Sequence, residues 1–112
     1  MSTREHSNRQ EKRVAKQLGG KKTPNSGATD FVKGDVLLHD WLIECKTVMK
    51  EQSTFSVKRE WIKKNKEESI AMRKHHSALV FDFGDGEDYV ILDMKTFKNM
   101  LEDIKYYEES SS

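Results

Sequence analysis

The sequence predicts a single small α/β domain, ordered α-β-β-α-β-β-α, with a central mixed sheet of about four strands flanked by helices. Three observations predict it. Apolar residues recur at helical spacing near both ends of the chain. Between them lie two pairs of short β-branched and aromatic runs, each pair split by turn residues. The length, 112 residues, suits one domain. Residues 1–112 are read as that domain, with 1–4 and 109–112 as disordered tails. A sheet covered by helices is the packing such an alternation favours, although the pattern leaves the strand order open.

The first helix is predicted over about Glu5–Leu18. Glu11, Val14, Ala15 and Leu18 fall at i, i+3, i+4 and i+7, one helical face that should pack inward. Gly19-Gly20 supplies its stop. Residues 19–34 read as a loop punctuated by Gly, Pro, Asn and Ser, long enough to point towards function. Strands follow at about Asp35–His39 and Trp41–Thr47, turning near His39-Asp40. Residues 48–55 read equally as a strand tail or a loop. A second helix is predicted over about Ser56–Lys74, with Ser56 as N-cap. Ala78–Phe83 and Tyr89–Met94 read as a hairpin across Gly84-Asp-Gly-Glu-Asp88. The last helix, about Lys95–Glu108, sets Phe97, Met100, Leu101 and Ile104 on one face, and the residues after it read as frayed.

Composition narrows the function classes. Hydrophobic and charged residues each make up 35% of the chain, so the core should be thin and dimerisation would add to it. No apolar run reaches the roughly 18 residues of a membrane span. No apolar segment follows the N-terminal charges, which predicts a soluble, cytoplasmic protein without a secretory signal. The one cysteine, Cys45, excludes an internal disulfide and a multi-cysteine metal site. The net charge of +1 hides an asymmetry. Residues 1–74 carry 17 Lys and Arg against 10 Asp and Glu, whereas residues 75–112 carry 3 against 9. The basic part could be a nucleic-acid surface or an ordinary solvated one.

The chemistry concentrates in Trp41-Leu-Ile-Glu-Cys-Lys-Thr47. Strand alternation sets Leu42, Glu44 and Lys46 on one face and Trp41, Ile43, Cys45 and Thr47 on the other. A carboxylate and an ammonium thus stand side by side on a largely apolar strand. With the turn at His39-Asp40, Leu38 faces Trp41 and Asp35 falls opposite Glu44. Opposed Cβ atoms lie about 4.5–5.5 Å apart. Two carboxylates that close call for a cation between them or a proton on one. Mg²⁺ prefers such oxygen ligands, and Lys46 could stabilise charge on an attacking water or a phosphate. A slip of one residue in the turn would dissolve this arrangement. Glu11, an acid on an inward stripe, either finds a partner in that site or lies at the stripe's edge in water. An isolated Glu-x-Lys is most often only an ion pair; the set of features in this order is what points to catalysis.

That set resembles the PD-(D/E)xK nuclease superfamily, and within it the small Holliday-junction resolvases of archaea and phages. The carriers are Glu11-Lys-Arg-Val-Ala-Lys-Gln-Leu-Gly-Gly20, Asn25-Ser-Gly-Ala28, Gly34-Asp-Val36 and Ile43-Glu-Cys-Lys-Thr47, spanning about residues 8–95. Gly34 stands where the motif's name has proline. The resemblance implies a restriction-endonuclease-like fold and a magnesium-dependent endonuclease acting on branched DNA, with Mn²⁺ able to substitute. It implies metal binding by Glu11, Asp35, Glu44 and the backbone carbonyl of Cys45, with one or two ions per site. It implies catalytic assistance by Lys46 and a place for Ser26 near the substrate. The products would carry 5′-phosphate and 3′-hydroxyl ends.

Lys12, Arg13, Lys16, Lys21, Lys22, Lys33, Lys58, Arg59, Lys63 and Lys64 are the candidate DNA contacts. Phosphate contacts position a duplex without reading its bases, which suits selection of DNA shape. A homodimer is expected, because a junction needs two symmetric cuts; the later strands or the last helix could supply its interface. Other signals carry less. Gly19-Gly-Lys-Lys-Thr23 lacks the spacing of a phosphate-binding loop. His75-His76 cannot share a helical face. Cys45 reads as core, and Trp61 as core or interface rather than a base-stacking platform. Two alternatives stay open: a nuclease of the same superfamily acting on linear or nicked duplex, and a non-catalytic basic DNA-binding protein.

Overall fold

The computed structural model describes residues 3–23 and 36–111. In chain order these form α1 (Thr3–Leu18), β1 (Lys21–Lys22), β2 (Val36–Leu37), β3 (Trp41–Lys46), α2 (Arg59–Ala71), β4 (His76–Phe81), β5 (Tyr89–Ile91) and α3 (Met94–Ser111). The five strands lie in one mixed sheet in sequence order. β3 and β4 run parallel, and the other neighbours antiparallel. The α/β class and the predicted element order hold. A fifth strand, β1, lies within the segment read as loop: Lys21 and Lys22 pair with Leu37 and Val36.

Strand alternation divides the core. Val36, Ile43, Ala78 and Val80 meet Val14 and Ala15 of α1 on one face, all 9% exposed or less. Leu42 and Leu79, 0% and 2% exposed, point to the other face. There α2 packs, with Asn65 Nδ2 donating to the Leu42 carbonyl at 3.5 Å. The parallel β3–α2–β4 unit puts the C-terminal ends of two central strands at one edge of the molecule.

α1 ends where predicted, and the mechanism is visible. Gly19 has φ +69°, and the Gly20 amide reaches back to the Ala15 carbonyl at 2.9 Å. That six-to-one bond is the Schellman closure. A Cβ on Gly20 would stand 2.7 Å from the Leu37 carbonyl oxygen, so the chain can pass β2 only there without a side chain. Leu18, on the predicted inward stripe, is 44% exposed: it lines an open apolar groove with Leu38, Trp41 and Ile43.

The other boundaries move for tertiary reasons. β2 ends at Leu37, since Leu38 is already in the turn, its amide donating to Trp41 at 3.0 Å. α2 begins at Arg59, not Ser56, and its N-cap Lys58 makes no side-chain cap bond. Phe55 instead stacks on Phe81 at 4.5 Å, and this contact prevails over the local capping preference of Ser56. The helix stops at Ala71 because Arg73 turns left-handed at φ 57°, with the Lys74 amide closing onto Ser69 at 2.8 Å. β4 starts two residues earlier than predicted, at His76, which pairs with Trp41. β5 ends at Ile91 because Asp93 caps α3: its Oδ1 accepts the Thr96 amide at 2.7 Å. α3 continues to Ser111 through the segment read as frayed.

The last helix holds the largest correction. Its predicted stripe is there, but among the described residues it contributes no buried side chain. Phe97, Met100, Leu101 and Ile104 are 38–52% exposed. No described helix is long and apolar enough to cross a membrane.

Candidate active site

The site begins with register. Val36 pairs with Ile43 and Leu37 with Leu42, the frame predicted from the His39-Asp40 turn. Lys74 Nζ fixes that turn from outside, donating to the Leu38 and His39 carbonyls at 2.8 and 2.9 Å. Asp35, one step beyond Val36, lies outside the described residues, as do Ser26 and Lys33. The Asp35–Glu44 pairing and the Ser26 and Lys33 contacts therefore lie outside them too.

β3 carries Glu44 and Lys46 on its α2-facing side. Their side chains are 16% and 26% exposed, and Lys46 Nζ stands 3.7 Å from Glu44 Oε1. Trp61, from the first turn of α2, comes under the ammonium, with Nζ 4.3 Å from the ring centroid. This is cation–π geometry, attractive by about 0.5–2 kcal/mol depending on desolvation. An aromatic chain backs it: Phe55 lies 6.2 Å from Trp61 and 4.5 Å from Phe81, which pairs directly with Lys46 in the sheet. Lys46 is held from two sides, by a carboxylate on its own strand and an indole on α2.

The third approach is from α1, across the sheet. Gln10 is 1% exposed, and its Nε2 donates to the Lys46 carbonyl at 2.9 Å. Its Oε1 is buried with no hydrogen-bond partner among the described residues. Glu11, the next residue, is 9% exposed, so it lies in the interface and not in water at the stripe's edge. α1 thus brings a buried amide to the end of β3, with the buried Glu11 next to it in sequence. Cys45 packs on the core cluster, as expected, and its residue pairs with Val80.

Glu44 offers carboxylate oxygen, the kind of donor that suits a hard divalent cation such as Mg²⁺. The buried amide oxygen of Gln10 adds an acceptor aimed at no described donor. Among the described residues, no three His, Cys, Asp or Glu side chains form a group that could hold a metal ion. The third expected carboxylate, Asp35, is not among those residues.

The basic residues sort into two groups. Lys58, Arg59, Lys63 and Lys64 are exposed around the start of α2, beside Trp61. Lys12, Lys16 and Lys21 are exposed on and after α1, while Lys22 Nζ donates to Asn8 Oδ1 at 2.8 Å. Arg13 departs from its expected role as a DNA contact. Its guanidinium grips Asp88 through two bonds of 2.7 Å and Asp82 through one of 2.9 Å. The hydrogen bond to Asp88 is the main reason its pKa is raised. Arg13 fastens α1 to the β4–β5 hairpin, and the two aspartates take up its charge. His75 is exposed and bonded to Asp40 Oδ1 at 2.7 Å, a surface pair remote from Lys46 in the sheet register.

Gln10 and the Trp61–Lys46 contact are the parts of the site that sequence reasoning missed. Gln10 precedes the stripe that flagged Glu11, and nothing local marks it. Trp61 at helical spacing from Val57 signals only an apolar contact. No protein-family model matches the chain, no curated protein matches it, and no solved structure matches its fold.

Proposed function

We propose that this chain is a metal-dependent endodeoxyribonuclease of the PD-(D/E)xK type, with a restriction-endonuclease-like fold, that cuts branched DNA, the four-way junction above all. The observation that carries the reading is Glu44 beside Lys46 at the end of a central parallel strand, with α1 and α2 both converging on the lysine. A purely structural ion pair needs no such convergence.

In this reading Glu44, Glu11, Asp35 and the Cys45 carbonyl would hold Mg²⁺, for which Mn²⁺ substitutes. The bound ion would supply a water of lowered pKa and a polarised phosphate. Lys46 stabilises the negative charge that develops as a water oxygen bonds to phosphorus and the bond to the 3′ oxygen breaks, that oxygen gaining a proton. Trp61 keeps the ammonium aimed and limits its solvation. Gln10 fixes the backbone on which the Glu44, Cys45 and Lys46 groups are spaced. Lys58, Arg59, Lys63 and Lys64, with Lys12, Lys16, Lys21, Lys22 and Lys33, would track phosphates without reading bases. Ser26 would stand near the cut strand.

The test is nicking of a four-way junction with and without Mg²⁺. Wild type should cut only with the metal, Glu44→Ala should lose about 100-fold, and Lys46→Ala at least as much. Equal cutting of a linear duplex of the same sequence would move the substrate from junctions to ordinary duplex. DNA binding without metal-dependent cutting by the wild type would refute the enzymatic reading and favour a binding protein.

A further inference from the structure

We infer that the aromatic row beside Lys46, ending on Tyr89 at the sheet edge, stacks an unstacked nucleobase of the DNA strand close to the phosphate at Lys46. The inference deepens the enzymatic reading above and rests on it for the substrate being DNA.

Register lays the row down. Lys46 pairs with Phe81 and Phe81 with Tyr89, so the three side chains stand in line across β3, β4 and β5 on the face that carries α2. Phe55, from the segment leading into α2, stacks on Phe81 with centroids 4.5 Å apart and planes within 18°. Tyr89 stacks on Phe81 at 5.6 Å and 27°, and Phe83 stands edge-on to both at 5.3 and 5.5 Å. These are the spacings of offset and T-shaped ring pairs. The row is not a closed core. Leu79, two residues back on the same strand face, is 2% exposed, whereas Phe55, Phe81 and Phe83 are half-buried and Tyr89 is 43% exposed. At one end, Trp61 already has Lys46 and Lys58 against its ring, at 4.3 and 5.7 Å. At the other, Tyr89 lies on the edge strand, and its ring contacts among the described residues are Phe81 and Phe83. Tyr89 is therefore the end left for a further ring.

Charge selects the occupant. Lys46 and Lys58 flank the row on the α2 side, and Arg59 and Lys63 join Lys58 and Glu60 around an open hollow of about 410 Å³. Rings beside a cationic groove suit a single strand: the groove follows the phosphates, and every base has a face to stack. Asp85 and Glu87, in the loop between Phe83 and Tyr89, repel phosphates and keep the backbone towards Lys46. Inside a duplex both faces of a base are taken by its neighbours, so a face is free only where the stack is interrupted, at a branch point, a flap or an end. Neighbouring strands lie about 4.8 Å apart, which sets Tyr89, two strands away, about 10 Å from Lys46. At about 3.4 Å per nucleotide of a stacked strand, the base on Tyr89 lies roughly three nucleotides from the phosphate at Lys46. The row would thus supply part of a preference for branched DNA over linear duplex.

Fluorescence anisotropy of the full chain, without divalent metal so that nothing is cut, tests the inference on labelled single strands of equal length: an oligothymidylate and an abasic strand with the same backbone. Wild type should bind the oligothymidylate about 10-fold more tightly. Tyr89→Leu, which keeps an apolar side chain and removes the ring, should narrow that gap to under about 3-fold, and Tyr89→Phe should keep it. The abasic-strand affinity of Tyr89→Leu should stay within about 2-fold of wild type, because its phosphate contacts are untouched. Equal affinity of the wild type for the two strands would overturn the inference and leave the row to an aromatic contact with another protein. So would a Tyr89→Leu protein that keeps the full gap. Failure of the enzymatic reading has a different signature: no cutting with Mg²⁺ while the gap between the two strands persists.

Discussion

Lys46 shows how much a single side chain depends on its surroundings. Its charge sits 3.7 Å from a carboxylate and 4.3 Å from an indole centroid, so both its direction and its hydration are constrained. Trp61→Leu should slow metal-dependent cutting about 10-fold at saturating DNA with little change in half-saturation, in line with a contact of roughly 1–2 kcal/mol. Trp61→Phe, which keeps a ring face, should retain most of the rate. Single-turnover rates at several DNA concentrations separate the two effects. Arg13 makes the opposite case, a basic residue that the fold has neutralised. Asp82 and Asp88 side chains are 7% exposed, so removing the guanidinium strands two carboxylates in a dry place. Arg13→Met should cost about 2 kcal/mol in urea unfolding, discounted for the partial exposure of Arg13. Its affinity for DNA should stay within about 2-fold, whereas loss of a phosphate contact would lower it more.

Among the elements, α3 depends on its first residues for anchorage. Asp93 caps it through the Thr96 amide and binds Lys66 of α2 at 2.8 Å. Those bonds, the one from Lys66 foremost, lower the Asp93 pKa from 3.8 to about 2. The charged carboxylate therefore stabilises the fold fully above pH 3.8, and this contribution fades as the pH falls through about 2. Asp93→Ala should cost about 1 kcal/mol at neutral pH, and its deficit relative to wild type should shrink between those two values. Paired urea titrations across that range check both statements. The same element shows a limit of sequence reading. Its stripe was legible as a period, yet a period reports which residues share a face and not what covers that face. The ends of α2 were misread for a related reason. Ser56 is a good local cap, but the stacking of Phe55 on Phe81 is long-range, and no residue type advertises that Arg73 will take a left-handed turn.

Along the chain, charge is divided between a basic N-terminal two thirds and an acidic remainder, and the fold joins the two through Arg13 with Asp82 and Asp88 and through Lys66 with Asp93. The exposed lysines and arginine around α2 lie beside Trp61, and Arg13 is tied into the acidic hairpin. DNA affinity should therefore fall steeply with salt, and Lys58→Gln or Lys63→Gln should each reduce the slope of log K against log salt by about 1. Fluorescence anisotropy over a salt series measures it. An unchanged slope in both variants would remove the start of α2 from the DNA surface.

By itself the sequence determined the α/β class, the order of the predicted elements, the β2–β3 register, the glycine stop of α1 and the pairing of Glu44 with Lys46 on one strand face. Each of these is local, set by side-chain period, turn chemistry or backbone conformation within a few residues. Only the tertiary structure decided that β3 and β4 run parallel, that Gln10 and Trp61 close on Lys46 from opposite layers, that Arg13 is neutralised, and that α3 stands uncovered. These depend on contacts between residues far apart in the chain, whose free energy arises from burial and pairing that no short window of sequence contains.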